Sequence, residues 1–280
     1  MISNKLVILG VDALEYDLVT EWDMRVFKQH QFGKISVPIL KKHGEPVTAV
    51  VWAGFITGKP PEETNITRFK DWKNPILPIL DVLAKKMGVS LKHRLKVGEF
   101  LNKIGFKKSI PTRERYKKVG TIFSDIPNSK AISAPSYNED PENFQVRKEL
   151  VYALEGKVDK KYLAEKIYGL DKQRGDEVIT SIPNYDLIFA HLFSLDTIQH
   201  MYSRDMDTIK SYYQKMEQLV ESVKNQMKNT DICLIISDHG QKKGRHTDYG
   251  FYSLNTEVKR QIDSILQFRE LISSSLLKVD

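Results

Sequence analysis

Residues 231–240 read Asp-Ile-Cys-Leu-Ile-Ile-Ser-Asp-His-Gly. The apolar run Ile232 to Ile236 predicts a strand buried inside a sheet. Asp238 and His239 then stand just where that strand ends. An ionised carboxylate beside an imidazole is costly to place at a strand end unless something uses it. Carboxylate oxygen and imidazole nitrogen are also ligand types that zinc and similar ions accept.

Working outward, two more strands end on a carboxylate. Leu6 to Val11 is an apolar run closed by Asp12, and Tyr185 to Phe193 is followed by Asp196. Lys130 to Pro135 is a further strand candidate. Between them lie helical patterns. Val47 to Ile56 is small and apolar and stops at Thr57-Gly58, with Pro60-Pro61 beyond. Pro78 to Met87 puts Ile79, Leu80, Leu83 and Met87 on one face. Met206, Ile209, Tyr213, Met216, Val220, Val223 and Met227 step by three and four, the spacing of a helix laid on a sheet. A last helix is expected from about Glu257 to Leu277. Strands alternating with helices imply an α/β fold with a mostly parallel central sheet and helices on both faces. Ligands of such sheets bind beyond the carboxyl ends of the strands. Asp12, Asp196 and Asp238 are therefore expected to converge.

The chain has 280 residues and 41% hydrophobic content, enough for one large domain. Residues 1–280 read as a single catalytic domain. The net charge is +7, and it is concentrated. Lys85 to Lys118 holds twelve Lys or Arg against Glu99 and Glu114, so the remainder is slightly acidic. This segment, 85–118, reads as a basic helical insertion or lid that attracts phosphate groups or nucleic acid. It carries no recognisable nucleic-acid motif. The only cysteine, Cys233, lies in an apolar strand, so no disulfide forms within the chain and a cytoplasmic location is expected. No apolar run is long enough for a membrane span, and no membrane partner is expected.

Asp196-Thr197-Ile198-Gln199-His200 places a carboxylate and an imidazole at i and i+4. On a helix both share one face and can bind one ion. Together with Asp12, Asp238, His239 and His246 they suit two adjacent divalent ions. Such a pair, about 3.5–4 Å apart, clamps the attacking and leaving oxygens of phosphoryl transfer. Thr48, at the start of the Val47–Ile56 helix, is the nucleophile candidate. As a plain helix cap it is worth about 1 kcal/mol; as a nucleophile it sits where helix-end N–H groups hold a phosphoryl oxygen. His191, after a strand, is expected to be a satisfied core histidine, with a group that supports a metal ligand from behind as the alternative.

This ordered set resembles the type I phosphodiesterase / nucleotide pyrophosphatase family of the alkaline phosphatase superfamily. The family pattern is an Asp ending the first strand, then a Thr before a short helix closed by Thr-Gly and a Pro. Next come Asp-x-x-x-His, Ser-Asp-His-Gly, and a final His followed by Gly. Here these are Asp12, Thr48 with Thr57-Gly58, Asp196 with His200, Asp238-His239-Gly240, and His246 with Gly250, spanning about Leu6 to Asn255. The resemblance implies an alkaline-phosphatase-like fold with two divalent metal ions, usually zinc and in some relatives manganese. One ion would be held by Asp12, Thr48, Asp238 and His239, and the other by Asp196, His200 and His246. It also implies attack of Thr48 on a phosphate ester and hydrolysis of the phospho-threonine formed.

Two positions depart from the pattern. Thr64-Asn65-Ile66 replaces His-Gly-Ile, and Asn is expected to take the left-handed turn that Gly would make. Phe69 stands about where nucleotide pyrophosphatases place a phosphate-binding Asn, which makes Arg68 and Lys70 the candidate phosphate contacts. The resulting expectation is a metal-dependent phosphodiesterase or nucleotide pyrophosphatase acting on a small phosphorylated substrate. A phosphomonoesterase or phosphomutase shares the same ligands. A non-catalytic protein binding RNA or an acidic partner through 85–118 is the contrasting class.

Overall fold

The computed structural model describes residues 4–41, 43–67, 71–72, 108–109 and 113–276. Its strands are β1 (Leu6–Val11), β2 (Gln31–Ser36), β3 (Asp71–Trp72), β4 (Lys108–Ser109), β5 (Ser129–Ile132), β6 (Leu187–Leu192), β7 (Ile232–Ser237), β8 (Gln241–Lys242), β9 (Arg245–His246) and β10 (Tyr249–Leu254). Six of them form one sheet in the order β2-β10-β7-β1-β6-β5. Strands β7, β1, β6 and β5 run parallel, and β10 lies antiparallel between β7 and β2. The expected mostly parallel sheet is thus present, with an antiparallel strand near one edge.

Strands β1, β6 and β7 are buried along their whole length, which requires cover on both faces. Val7 and Leu9 face one core, with Val178, Val220 and Met216 from the helices Lys160–Ser181 and Met206–Lys224. Leu6 and Ile8 face the other, with Trp52 and Phe55 from the helix Thr48–Thr57 and with Phe268 and Leu271. On this second face a Cβ at Gly10 would stand 2.6 Å from Trp52 Cη2. The absent side chain is what lets the Trp52 ring lie on the first strand.

The helix after Val47 begins at Thr48 and ends on Gly58, whose φ of 65° is left-handed. Asn65 also takes a left-handed turn, φ 55°, as the sequence led us to expect. The expected long helix from Glu257 is instead broken. Ser264 bridges to Ser36 at the edge of β2 and caps a short 3-10 turn with Gln267. Helical turns then cover Phe268–Leu271 and Ile272–Leu276. Pairing with the sheet edge fixes extended backbone at Ser264, which a continuous helix cannot supply. The expected helix Pro78–Met87, the residues Arg68, Phe69 and Lys70, and most of the basic 85–118 segment lie outside the described residues. Among the described residues no helix is long and apolar enough to cross a membrane.

Candidate metal centre

Sheet geometry does most of the assembly. The register pairs Gly10 with His191, and Leu6 and Val7 with Ile232 and Cys233. The carboxyl ends of β1, β6 and β7 therefore lie side by side. Asp12 follows β1, Asp238 and His239 follow β7, and the helix Ser194–Met201 carries Asp196 and His200 just beyond β6. His246 comes in from β9, paired with Gln241 of β8. The structure brings Asp12, Thr48, Asp196, His200, Asp238, His239 and His246 together in one cluster.

The cluster has a deep end and an open end. Asp12, Asp238 and His239 are buried; Asp196, His200, His246 and Thr48 are half-buried. His239 joins the two. Its Nε2 lies 3.4 Å from Asp12 Oδ1 and 3.3 Å from Asp238 Oδ2, and its ring stacks on His246 at 3.8 Å. At the open end Asp196 Oδ1 stands 3.3 Å from His200 Nε2 and 3.5 Å from His246 Nε2. Ligand atoms of Asp12, Asp238 and His239 all lie within 4.8 Å of one another, as do those of Asp196, His239 and His246.

Two observations show that these donors fit metal ions. Asp12 Oδ1, Asp196 Oδ1 and both Asp238 oxygens are buried and accept no hydrogen bond among the described residues; carboxylate oxygens left so are costly unless a cation meets them. The three imidazoles are also set with the same nitrogen inward. His239 Nδ1 lies 3.2 Å from the Gly240 carbonyl, and His246 Nδ1 lies 3.3 Å from that of Pro46. For these two rings the carbonyl at Nδ1 fixes the tautomer whose Nε2 is free to bind a metal. His200 Nδ1 instead meets the donor nitrogen of the Gln241 amide at 3.0 Å.

The charges respond as expected of a crowded acid cluster. Burial, with Asp238 and Asp196 adding to it, pushes the Asp12 carboxyl well above the usual carboxylate range. Burial also disfavours the Asp196 charge, but His200 and His246 outweigh it and hold Asp196 well below that range. Burial lowers His239.

Thr48 is not a side-chain cap. The cap position belongs to Val47, and no side chain bonds the helix end there. The Thr48 hydroxyl instead lies 3.5 Å from His239 Nε2. Its backbone N–H and that of Ala49 belong to the first turn, whose N–H groups have no partner within the helix.

Several neighbours support the ligands from behind. His191 is fully buried but not a self-satisfied core histidine: its Nε2 meets Asp12 Oδ2 at 3.2 Å and its Nδ1 has no partner among the described residues. A polar ring in an otherwise apolar strand beside Gly10 was the available signal. Asp171, on the helix Lys160–Ser181, accepts the Phe193 and Ser194 N–H groups at 3.1 and 2.8 Å and pairs with Arg174 at 3.5 Å. It holds the start of the helix that carries Asp196. In the loop after β5, Asn138 bonds the backbone of Ala134 and Ala131, and Glu139 pairs with Arg147 at 2.6 Å.

The sequence matches the family model described as type I phosphodiesterase / nucleotide pyrophosphatase over residues 6–269. The chain belongs to this family. Among curated proteins none matches it. Similar solved structures include murine ectonucleotide pyrophosphatase / phosphodiesterase 5, at 13% identity and a TM-score of 0.47, covering 85% of this chain and 57% of that one. The chain thus spans little more than half the length of that relative. The 2-O GAG sulfatase BT1596 matches at 10% identity and a TM-score of 0.55, covering all of this chain and 72% of that one. Alkaline phosphatase from the Antarctic bacterium TAB5 matches at 9% identity and a TM-score of 0.49, with 99% and 100% covered. The sulfatase match shows the shared alkaline-phosphatase-like α/β fold.

Proposed function

We propose that this chain is a metal-dependent phosphodiesterase or nucleotide pyrophosphatase with Thr48 as its nucleophile. The observation that carries this reading is the place of the Thr48 hydroxyl. It caps no helix, and it stands 3.5 Å from His239, the residue shared by both candidate ligand groups. Asp12, Asp238, His239 and Thr48 would hold one divalent ion; Asp196, His200 and His246 would hold the other. Zinc is the proposed metal and manganese the alternative. When bound, the ions would lower the pKa of the nucleophile and offset the charge that develops on phosphate.

The chain's own groups do the rest. The first-turn N–H groups of Thr48 and Ala49 would hold a phosphoryl oxygen at the helix end, where the helix dipole favours negative charge. Thr48 Oγ1 attacks phosphorus in line, its proton leaving to solvent, and the P–O bond to the leaving alcohol or phosphate breaks. Water then cleaves the phospho-threonine and restores the Thr48 hydroxyl. The half-buried Asp196, His200 and His246 leave this end open to substrate. The basic 85–118 segment fits a lid that draws phosphate in. A single buried cysteine suits a cytoplasmic setting.

The deciding experiment compares hydrolysis of bis-p-nitrophenyl phosphate and p-nitrophenyl phosphate. Wild type and Thr48→Ala are stripped of metal, then given zinc or manganese. Metal-dependent cleavage favouring the diester and lost in Thr48→Ala is expected. Preference for the monoester would move the assignment to a phosphatase or mutase. No cleavage by either metal form, with RNA binding that weakens steeply in salt, would favour a binding protein.

A further inference from the structure

We propose that His191 is a positioning residue for Asp12, holding one carboxylate oxygen so that the other faces the metal. This rests on the metal-dependent reading above. It starts from three facts about one ring. His191 Nε2 lies 3.2 Å from Asp12 Oδ2. His191 Nδ1 is buried with no hydrogen-bond partner among the described residues. Asp12 Oδ1, the opposite oxygen, is also unpartnered and stands 3.4 Å from His239 Nε2.

A neutral imidazole has one N–H. Placed on Nδ1, that proton would be a buried donor with no acceptor, which is costly. Placed on Nε2, it is donated to Asp12 Oδ2. The geometry therefore selects the Nε2–H tautomer. Oδ2 is then committed to His191 and cannot swing toward the ions. Oδ1 alone is presented to the cluster. The arrangement makes Asp12 a one-oxygen ligand of fixed direction.

The ring itself is held from several sides. Trp52 meets it edge-on at 5.3 Å and Phe193 stacks at 6.5 Å. The His191 carbonyl accepts Arg174 Nη1 at 3.2 Å. Trp52 is the same side chain that lies over Gly10, so the packing that seats the nucleophile's helix on β1 also fixes the ring that orients Asp12. Partners in contact with a metal ligand commonly change metal affinity by about 10–100-fold when removed.

The test uses His191→Met, which keeps bulk and removes the donor, beside His191→Gln, whose amide N–H reaches to a similar point. Zinc affinity is measured by competition with a chromophoric chelator. Folding is followed by circular dichroism. His191→Met should bind zinc about 10–100-fold more weakly at one site, with activity restored by excess zinc; His191→Gln should lie near wild type. A purely structural histidine would lower melting temperature in both variants without this split or this rescue. Should His191→Met not fold, the tautomer is read directly in the wild-type protein from the His191 ¹⁵N shifts. A proton on Nδ1 overturns the inference, as does unchanged zinc affinity in folded His191→Met. Wild type that binds neither zinc nor manganese overturns the metal-dependent reading and this inference with it; wild type that binds zinc as tightly as His191→Met overturns this inference alone.

Discussion

His200 Nε2 and His246 Nε2 face each other across 3.2 Å, with Asp196 Oδ1 within 3.5 Å of both. Two imidazole nitrogens this close need something shared between them, either a hydrogen that one ring donates to the other or a metal ion. Burial opposes charge on both rings, but Asp196 outweighs it. His200 is raised above the ordinary imidazole range, and His246 is raised to about 9.

Metal uptake must therefore displace protons. At pH 7.5 the ion-free cluster holds a proton at His246, and a metal needs that nitrogen bare. Titration calorimetry of zinc into metal-free protein should give different apparent enthalpies in HEPES and in Tris, the mark of proton release. Stability of the metal-free form follows the same shift. A histidine whose pKa is raised on folding contributes stability that is fully present below its ordinary value of 6.5 and is lost as pH rises through about 9. Metal-free protein should melt at progressively lower temperature across that window, and His246→Gln should flatten the trend. Equal calorimetric enthalpies in the two buffers would count against the ligand role of His246.

Asp171 makes a prediction away from the cluster. Its carboxylate is fully buried, takes two N–H groups from the start of the Asp196 helix, and pairs with Arg174. Asp171→Ala leaves the Arg174 charge and both N–H groups without that partner. It should cost about 3–5 kcal/mol in urea unfolding. Asp171→Asn, which keeps one acceptor oxygen, should cost less. A loss below 1 kcal/mol in Asp171→Ala would show that this pair does not hold the helix.

Arg68 and Lys70 are proposed phosphate contacts because Phe69 between them cannot donate a hydrogen bond to phosphate. Removing one charge-assisted contact costs about 1.5–3 kcal/mol of binding. Arg68→Ala and Lys70→Ala should therefore raise KM for bis-p-nitrophenyl phosphate about tenfold or more. Unchanged kinetics in both variants would remove these residues from the site.

The legible parts of the fold were those where one residue meets one local rule. Apolar runs of five or six residues gave β1 and β7 almost to the residue, the longer stretch Tyr185 to Phe193 enclosed β6, and the strand-end carboxylates followed. Helix spacing gave Met206–Lys224. Strands β2 and β10 were not legible. β2 lies at the sheet edge with only Ile35 buried, so it carries no apolar run. The break at Ser264 depends on a bridge to Ser36, more than two hundred residues away, which no local pattern carries. The same holds at the site. The ligand types stood out in the chain, and His191 as a polar ring in an apolar strand, but two groups that hold the ligands, Asp171 and Gln241, are recognised only by what they touch.

Gln241 is the last of these. It is buried, its amide nitrogen lies 3.0 Å from His200 Nδ1, and its oxygen has no partner among the described residues. A histidine that binds metal through Nε2 carries its proton on Nδ1 and needs an acceptor there. A half-turn of the Gln241 amide supplies one, bringing the unpartnered oxygen to His200. Metal binding and the amide turn are then linked, because each favours the same tautomer. Gln241→Met keeps the bulk and removes the acceptor. It should weaken zinc at the Asp196–His200–His246 site by about 10–100-fold, while the Asp12–Asp238–His239 site keeps its affinity. Chelator competition resolving two zinc sites measures this. Equal weakening at both sites would point to general loosening of the β8–β9 turn instead of a hydrogen bond to His200.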